Sequence, residues 1–248
     1  MSSSVFSLRL LPDNVRHRVI KTFDYLQLVS FSLISTKTKS LVESFNLNIE
    51  VLTVYAKESL HISIELDARK TVIEFYIYLN ENRRRGQPLR SLDHVPYHIT
   101  VKSKFENYEM HEAFEWRNPG LSFTQWFHHF CGLFNSDSHA IEFNEKHEIF
   151  DTVALSNLLP EWSSLEIQRA SRDHGQKIIE LFTPIVKNMD PGYNMNHMEC
   201  PQEVMIQNFN RLTVFDDISL DDALAANASC ITFFEFTVSN VNRFLRSW

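Results

Sequence analysis

The sequence predicts an α+β protein in which three short helices precede a mainly β body. Apolar residues recur at helical spacing up to Phe45 and alternate with polar residues after Asn46. From about residue 120 the pattern becomes a series of strand-then-helix units. We therefore expect a helical segment over 1–46 and a body over 47–248, with a β-rich part at 47–110 and irregular β/α units at 120–248.

Composition limits the class of protein and its location. The 248 residues are 44% apolar and include 20 Phe and 4 Trp, enough for a substantial core. No apolar run approaches the roughly 18 residues that span a membrane, and the N-terminus lacks the pattern of a signal peptide. The three cysteines, Cys131, Cys200 and Cys230, have no paired spacing, which is typical of reduced thiols. We expect a cytoplasmic and/or nuclear protein without membrane association.

Charge and glycine usage exclude several function classes. The net charge of −7 disfavours nucleic-acid binding. Residues 1–45, which we call the head, carry +3 and the remainder carries −10, so the head suits an acidic protein partner. No two of the five glycines lie within eleven residues of each other, so neither a dinucleotide fingerprint nor a P-loop can form.

The first forty-five residues show helix starts and more apolar residues than three short helices can bury. Pro12 is placed to begin a helix, with Asp13 in its first turn. Asp24 can cap a second helix, and Ser35 or Thr36 a third. The apolar residues off the inward stripes, which favour a partner surface, are Leu8, Leu11, Leu28 and Phe31.

This stretch contains a set of residues that recurs in a known family: Leu11-Pro12, the Val15/Val19/Ile20 stripe, Leu28-Val29, Leu33-Ile34-Ser35 with Lys37, and Leu41. In these residues it resembles an F-box. Thr38 stands where many F-boxes have Trp. In that family these helices bind the Skp adaptor of cullin–RING ubiquitin ligases. The resemblance implies that the adaptor-binding residues are Leu8, Leu11, Pro12, Val15, Val19, Ile20, Leu28, Val29, Leu33 and Ile34. An ordinary three-helix packing unit or a helix-turn-helix is the alternative.

The next part of the chain predicts antiparallel strands. Alternation covers 47–54, 61–66 and 72–79, and another strand is expected within 95–105. In the third strand, Tyr76 and Tyr78 should lie on the side opposite Ile73, Phe75 and Ile77. We interpret the Arg83–Arg85 run as a solvated loop tip.

After a turn at 118–120, the chain predicts a helix and then four strand-then-helix units. Ser122 or Thr124 should cap the helix that carries Trp126, Phe127, Phe130 and Phe134. The strands are expected at 140–143, 164–168, 211–215 and 230–236. Their helices are expected at about 151–158, at 173–187, from Ser219, and up to Trp248. The last two strands are 19 residues apart and the earlier gaps far longer, which predicts an irregular leucine-rich-repeat-like array.

The same region contains a second set of residues that recurs in a known family. These are the Trp116-to-Gly120 turn with Trp126, Phe134-Asn135, Leu158-Leu159-Pro160, Ser164-Leu165 with Ile167, Asn208 with Leu212, Leu220-Asp221-Asp222 with Leu224 and Asn227, and Asn242-Arg243-Phe244-Leu245 with Trp248. In these residues the region resembles the type 2 F-box-associated domain of nematode F-box proteins. This resemblance implies a domain that recognises the target protein.

Candidates for chemistry are weak, and we predict no catalytic residue, no metal and no cofactor. His128, His129, Cys131, His139 and His147 lack the paired spacing of metal ligands. Cys131 lies among apolar residues, as a core thiol does rather than a nucleophile. The pairs Asp216-Asp217 and Asp221-Asp222 are explained by a helix start.

Both resemblances together predict a non-enzymatic substrate-recognition subunit of an SCF-type cullin–RING E3 ubiquitin ligase. The alternative is a protein–protein interaction scaffold of the same fold that does not ubiquitinate. Aromatic residues left exposed could anchor a protein target, since aromatic side chains dominate interface hot spots. The sequence does not identify the substrate-binding residues.

Overall fold

The computed structural model describes residues 11–66, 71–78, 91–105, 108–144, 149–168, 170–192, 201–215, 219–234 and 246. The chain divides into two compact units, one of residues 1–47 with 132–135 and one of residues 48–131 with 136–248. Three helices precede a large sheet, which confirms the α+β class. Within the described ranges, no helix is both long and apolar enough to cross a membrane.

The first unit contains helices α1 (Asp13–Ile20), α2 (Tyr25–Ser32) and α3 (Thr36–Glu43). Pro12 is the residue before α1 rather than its first residue. The core of this unit contains Ile20, Leu28, Val29 and Val42. Leu28 was expected off the inward stripe, and that expectation is wrong because its side chain is buried in the core of this unit.

The second and third helices begin at reciprocal side-chain caps. The Asp24 carboxylate accepts a hydrogen bond from the Gln27 backbone N–H at 2.7 Å, and the Gln27 side chain accepts one from the Asp24 N–H at 3.0 Å. Ser35, rather than Thr36, caps α3 in the same way, with Thr38 as its partner. These bonds satisfy backbone donors that a short helix leaves open, and so they set the two helix starts.

The antiparallel half of the body follows the predicted strands. The strands are β1 (Leu47–Ile49), β2 (Val51–Ala56), β3 (Leu60–Glu65), β4 (Val72–Tyr78), β5 (His98–Phe105) and β6 (Tyr108–Arg117). Strands β2 to β6 pair in sequence order, each antiparallel to the next. Strand β1 instead pairs with β7 (Phe134–Ser136) in a two-stranded sheet. The sequence did not predict β6 or β7.

The second half alternates strands and helices. Its elements are α4 (Phe123–Leu133), β8 (His139–Phe143), α5 (Thr152–Ser156), β9 (Trp162–Ile167), α6 (Arg172–Phe182), β10 (Val186–Asp190), α7 (Pro201–Met205), β11 (Phe209–Phe215), α8 (Leu220–Ala225) and β12 (Ala228–Phe234). Strands β8 to β12 are all parallel, and β8 joins β2 in parallel, so both halves form one ten-stranded sheet.

Strand β10 corrects two expectations. The helix predicted for 173–187 ends at Phe182, because Pro184 has no backbone N–H to continue it, and a 3-10 turn leads into β10. With β10 in place, the gaps between strands are no longer long. The residues that pair in one row across β8 to β12 are Ala140, Ser164, Asn188, Arg211 and Cys230, at intervals of 24, 24, 23 and 19 residues. The comparison with leucine-rich repeats stays a prediction.

Helices α4 and α6 pack on one side of the sheet. Phe75 packs against Trp126 and Phe130 of α4, with ring centroids 6.2 and 4.6 Å apart. Trp162 packs against Phe127 of α4 and Phe182 of α6. All of these side chains are buried. The residues that alternate with this core therefore point to the other side of the sheet.

A bulge corrects the expected position of Tyr78. Leu60 pairs with Tyr78 but His61 pairs with Tyr76, so the strand gains a residue between them. Tyr78 consequently lies on the helix side, buried against Phe123, with its hydroxyl donating to the Leu92 carbonyl oxygen at 3.2 Å. Tyr76 lies on the opposite side from the core, as expected.

Several predictions concern residues outside the described ranges. These residues are Leu8, the Arg83–Arg85 run, His147, Cys200, Asp216-Asp217, Phe236 and the last predicted helix up to Trp248.

Candidate partner-binding surfaces

The head presents apolar side chains to solvent along α1 and just after α2. Ile34 is 63% exposed and Val15 is 38% exposed. Pro12 is exposed, while Leu11 is half-buried. Exposed aliphatic groups on a unit this small are typical of a surface that a partner covers.

The other predicted adaptor-binding residues lie deeper. Val19 and Leu33 are half-buried, whereas Ile20, Leu28 and Val29 belong to the core of the first unit. The last three therefore support the surface from beneath. The adaptor-binding assignment of the whole set stays a prediction.

Thr38 has a structural role in the head. Its hydroxyl accepts a hydrogen bond from the Ser35 backbone N–H at 2.9 Å and donates one to the Ser35 carbonyl oxygen at 2.8 Å. Thr38, which stands where many F-boxes have Trp, is thus held at the first turn of α3 by these two bonds. It cannot at the same time point outwards as an anchor.

The residues considered for chemistry do not converge. His129 is buried against Trp126, while His128 is exposed. Burial raises the pKa of the Cys131 thiol to about 11, opposite to the low value of a nucleophilic thiolate. In the part of the chain that the structure describes, no three metal-binding side chains cluster. Asp222 lies in the first turn of α8, with its N–H bonded to the Ser219 hydroxyl at 3.1 Å.

The body carries its most organised polar groups on the sheet side opposite the core. We call this side the polar face. Its central row runs in strict register across β4, β3, β2, β8, β9 and β10. The row contains Tyr76, His61, Tyr55, Glu142, Glu166 and Asp190. One half of this row is aromatic and the other half is acidic.

The aromatic half is a stack of three rings. The His61 ring lies 4.8 Å from the Tyr55 ring and 4.3 Å from the Tyr76 ring, close to parallel with both. Lysine ammonium groups cover the two outer rings: Lys57 lies 4.3 Å from the Tyr55 centroid, and Lys102 lies 4.3 Å from that of Tyr76. This stack therefore already binds cations from the chain itself, by cation–π attraction.

The acidic half holds three carboxylates on three adjacent strands. Burial raises the pKa of Glu142, and the Glu166 charge raises it further, while the Lys57 ammonium opposes both from 2.9 Å. Burial also raises the pKa of Asp190, with Glu166 again adding to the effect. Neighbouring strands lie about 4.8 Å apart, and like charges directly opposite each other on adjacent strands repel, so the register itself places these three carboxylates in mutual repulsion.

A trough of about 490 Å³ opens over β9 to β12 beside these carboxylates. Its walls include Glu166, Asp190, Asn188, Arg211 and Cys230. Arg211 lies one row away from the acidic row, in register with Asn188. This volume is in the range of ligand sites, about 300–1,000 Å³, although the lining is polar.

The most exposed aromatic residue among those described in the body lies elsewhere. Tyr97 is 69% exposed and borders an open pocket of about 510 Å³ with Val95, Pro96 and Arg117. The Arg117 guanidinium lies 5.6 Å from the Tyr97 ring centroid. The Tyr55 and Tyr76 side chains are less exposed than Tyr97, because each is half-buried.

Comparison with known protein families finds a domain match in the first fifty residues and another in the last fifty. Residues 8–50 match the F-box domain, and residues 200–248 match the F-box associated family. The chain carries an F-box. Searches among curated proteins and among solved structures each found no match.

The F-box spans α1 to α3, and the F-box-associated match spans α7, β11, α8 and β12. F-box domains typically bind a Skp-family adaptor within SCF complexes. The two domains together are those of SCF substrate adaptors in general, which are mostly non-catalytic. The comparisons thus confirm the F-box and, over 200–248, the F-box-associated resemblance. The part of that resemblance before residue 200 and its nematode character stay predictions.

The sequence did not predict the acidic row, although a signal for it was present. Glu142, Glu166 and Asp190 recur at 24-residue intervals, each after a buried aliphatic residue: Ile141, Leu165 and Met189. That period becomes recognisable only once Val186–Asp190 is assigned as a strand rather than a helix end.

Proposed function

We propose that the protein is the substrate-recognition subunit of an SCF-type cullin–RING E3 ubiquitin ligase. Its F-box binds a Skp-family adaptor, and its body binds the target protein. The observation that carries the proposal is an F-box at 8–50 on a chain that ends in an F-box-associated segment at 200–248. The chain contributes no catalytic group in this scheme and works in the cytoplasm or nucleus.

The mechanism is tethering. A target held on the body, with the adaptor held on the F-box, comes close to a ubiquitin-conjugating enzyme on the same complex. The transfer then behaves as a local rather than a bimolecular encounter, and an effective concentration replaces the free one. The repeated strand-then-helix units of the body supply a broad face for the target, as repeat-type binding proteins do.

Adaptor contact in this proposal centres on the exposed apolar groups of the head. Ile34 and Val15 make direct contact, with Leu11, Pro12 and Leu33 around them. Burying a Val or Ile side chain on association contributes about 1.5–3 kcal/mol, so loss of two should be measurable. Ile20, Leu28 and Val29 hold the helices in place.

The test is binding of the purified chain to a Skp-family adaptor. Val15→Asp/Ile34→Asp should weaken binding by about 100-fold or more, because two charges would enter an apolar interface. Ile206→Asp is the matched control, since Ile206 is 53% exposed and lies in the body. It should bind as the wild type does.

Equal adaptor binding by the double variant and the wild type would refute the assigned surface. Failure of the wild-type chain to bind any Skp-family adaptor would refute the proposed function. Ubiquitin transfer to a co-purified target, measured in the reconstituted complex, separates a ligase subunit from a scaffold that does not ubiquitinate.

A further inference from the structure

The acidic half of the polar face already shows how it holds an ammonium group. Lys57 lies with its Nζ 2.9 Å from the Glu142 carboxylate and 4.3 Å from the centre of the Tyr55 ring. An aromatic ring and a carboxylate on adjacent strands thus form one cation position. This position is occupied by the chain itself and belongs to the polar face.

The row continues beyond that position with two further carboxylates. Glu166 is exposed, and Asp190 is half-buried on the next strand. The side-chain amide of Gln168 donates to Glu166, and the Gly192 backbone N–H donates to Asp190 at 3.2 Å. The Thr213 hydroxyl also donates to Asp190, and none of these donors carries a charge. The repulsion between the carboxylates therefore persists in this part of the row.

The trough gives access to these two carboxylates. It lies directly over the row at β9 and β10 and holds about 490 Å³, enough for a few side chains of an extended peptide. Its openness and polar lining suit a polypeptide segment better than an apolar small molecule, which prefers an enclosed apolar pocket. Ser164 and Asn188 supply a hydroxyl and an amide group for the peptide backbone.

We propose that this trough binds an extended segment of the target protein that carries Lys or Arg. A basic side chain lies against Glu166 and Asp190 in the way that Lys57 lies against Glu142. In an extended peptide, side chains on one side recur about every 6.6 Å, and long basic side chains adjust this spacing to the 4.8 Å strand separation. Two basic residues separated by one therefore fit the row.

The inference rests on the proposed function, because it names the class of target segment that the body binds. Charge complementarity decides the class: the carboxylates repel one another, and a cation relieves that repulsion. An acidic peptide or nucleic acid would add to it. Arg211 borders the trough one row away and can contact the carbonyl oxygens or C-terminal side of the segment.

The probes are fluorescently labelled nine-residue peptides. One has two Arg separated by one residue in a Gly/Ser/Ala background, and two matched peptides carry Gln or Glu in place of both Arg. Binding is measured by anisotropy with the full chain, both alone and together with its adaptor. The Arg peptide should bind at least 10-fold more tightly than either matched peptide, and its affinity should fall with added salt.

Glu166→Gln/Asp190→Asn tests the row, because it removes two charges and keeps the side-chain shapes. The matched control is Glu180→Gln/Asp173→Asn, which removes the same charges from exposed positions on α6, the helix on the core side of the sheet. The row variant should lose 10-fold or more in affinity for the Arg peptide. The control should stay within twofold, and thermal melts check the folding of both.

Three results would overturn the inference: equal binding of the Gln or Glu peptide, unchanged affinity of the row variant, or no binding of the Arg peptide up to about 1 mM. Adaptor binding is measured on the same samples. If the adaptor binds and the Arg peptide does not, this inference fails and the proposed function stands. If the adaptor does not bind, the proposed function fails whatever the peptide does.

Discussion

Asn118 joins two parts of the body through one buried amide. Its Nδ2 donates to the carbonyl oxygens of Pro96 and Leu121 at 2.8 and 2.7 Å. Its Oδ1 accepts from the N–H groups of Leu121 at 3.0 Å, Gly120 at 3.3 Å and the Trp126 indole at 3.3 Å. This amide links the loop before β5, the turn after β6 and the first turns of α4.

Asn118→Ala should lower the free energy of unfolding by about 3–4 kcal/mol. Each of the three shorter bonds contributes about 1 kcal/mol net, and each 3.3 Å bond about half as much. The indole N–H of Trp126 is fully buried, so its lost partner is not replaced by bulk water. Asn118→Asp should be similarly destabilising at neutral pH, because a carboxylate would face two carbonyl oxygens. Part of that loss should be recovered at low pH, where a protonated carboxyl can donate one bond.

The assay is urea unfolding followed by tryptophan fluorescence, which reports on the body because all four tryptophans follow residue 115. Asn157→Ala is the control: Asn157 is exposed at the end of α5, and its loss should change the unfolding free energy by less than about 0.5 kcal/mol. A loss below about 1 kcal/mol for Asn118→Ala would refute the assignment of Asn118 as the link.

Three further outcomes are expected. Ser35→Ala should lower the stability of the F-box helices by about 1 kcal/mol, measured by helical circular dichroism of the chain on heating, because α3 loses its reciprocal cap. Cys131 should react with iodoacetamide at pH 8 on the order of 100-fold more slowly than an ordinary cysteine, because burial raises its pKa to about 11. Mass spectrometry of the labelled peptide as a function of pH measures this rate. Rapid labelling of the folded protein at pH 8 would contradict the prediction. Folding raises the pKa of Glu142 and of Asp190. Just above the ordinary pKa of a carboxyl group, the native state therefore binds more protons than the unfolded chain does. The free energy of unfolding consequently falls as the pH rises from the ordinary pKa values through the raised ones. Glu142→Gln/Asp190→Asn should therefore flatten the fall in stability across that window, and an unchanged pH profile would show that the two carboxyls titrate normally.

The helical head was largely predictable because its signals are local. Asp24 and Ser35 cap the helices that their positions predict, since a cap uses only neighbours within one turn. Leu28 was misplaced because a periodic stripe does not say which of two apolar sides packs on the next helix. That choice depends on how α2 meets α3.

The body shows where local signals end. From Asp173 onwards the apolar residues keep a helical spacing up to about residue 187. The helix nevertheless ends before Pro184, and the residues that follow form strand β10. The position of Tyr78 depends on a bulge in β4 opposite the Leu60–His61 step, and no residue in β4 predicts that bulge from the sequence. One missed strand also hid the 24-residue period that aligns the acidic row.

Local signals were enough to predict the α+β class, the three helix starts of the head and most of the strands in the body, because propensity, capping and alternation act over a few residues. The three-dimensional arrangement was needed to establish that antiparallel and parallel strands join through β2 and β8 into one sheet. It also decided that Glu142, Glu166 and Asp190 form one row beside the Tyr55, His61 and Tyr76 stack. Strand pairing and register are interactions between different parts of the chain, and in this row they place side by side residues that lie from 6 (Tyr55 and His61) to 87 (Tyr55 and Glu142) positions apart in the sequence.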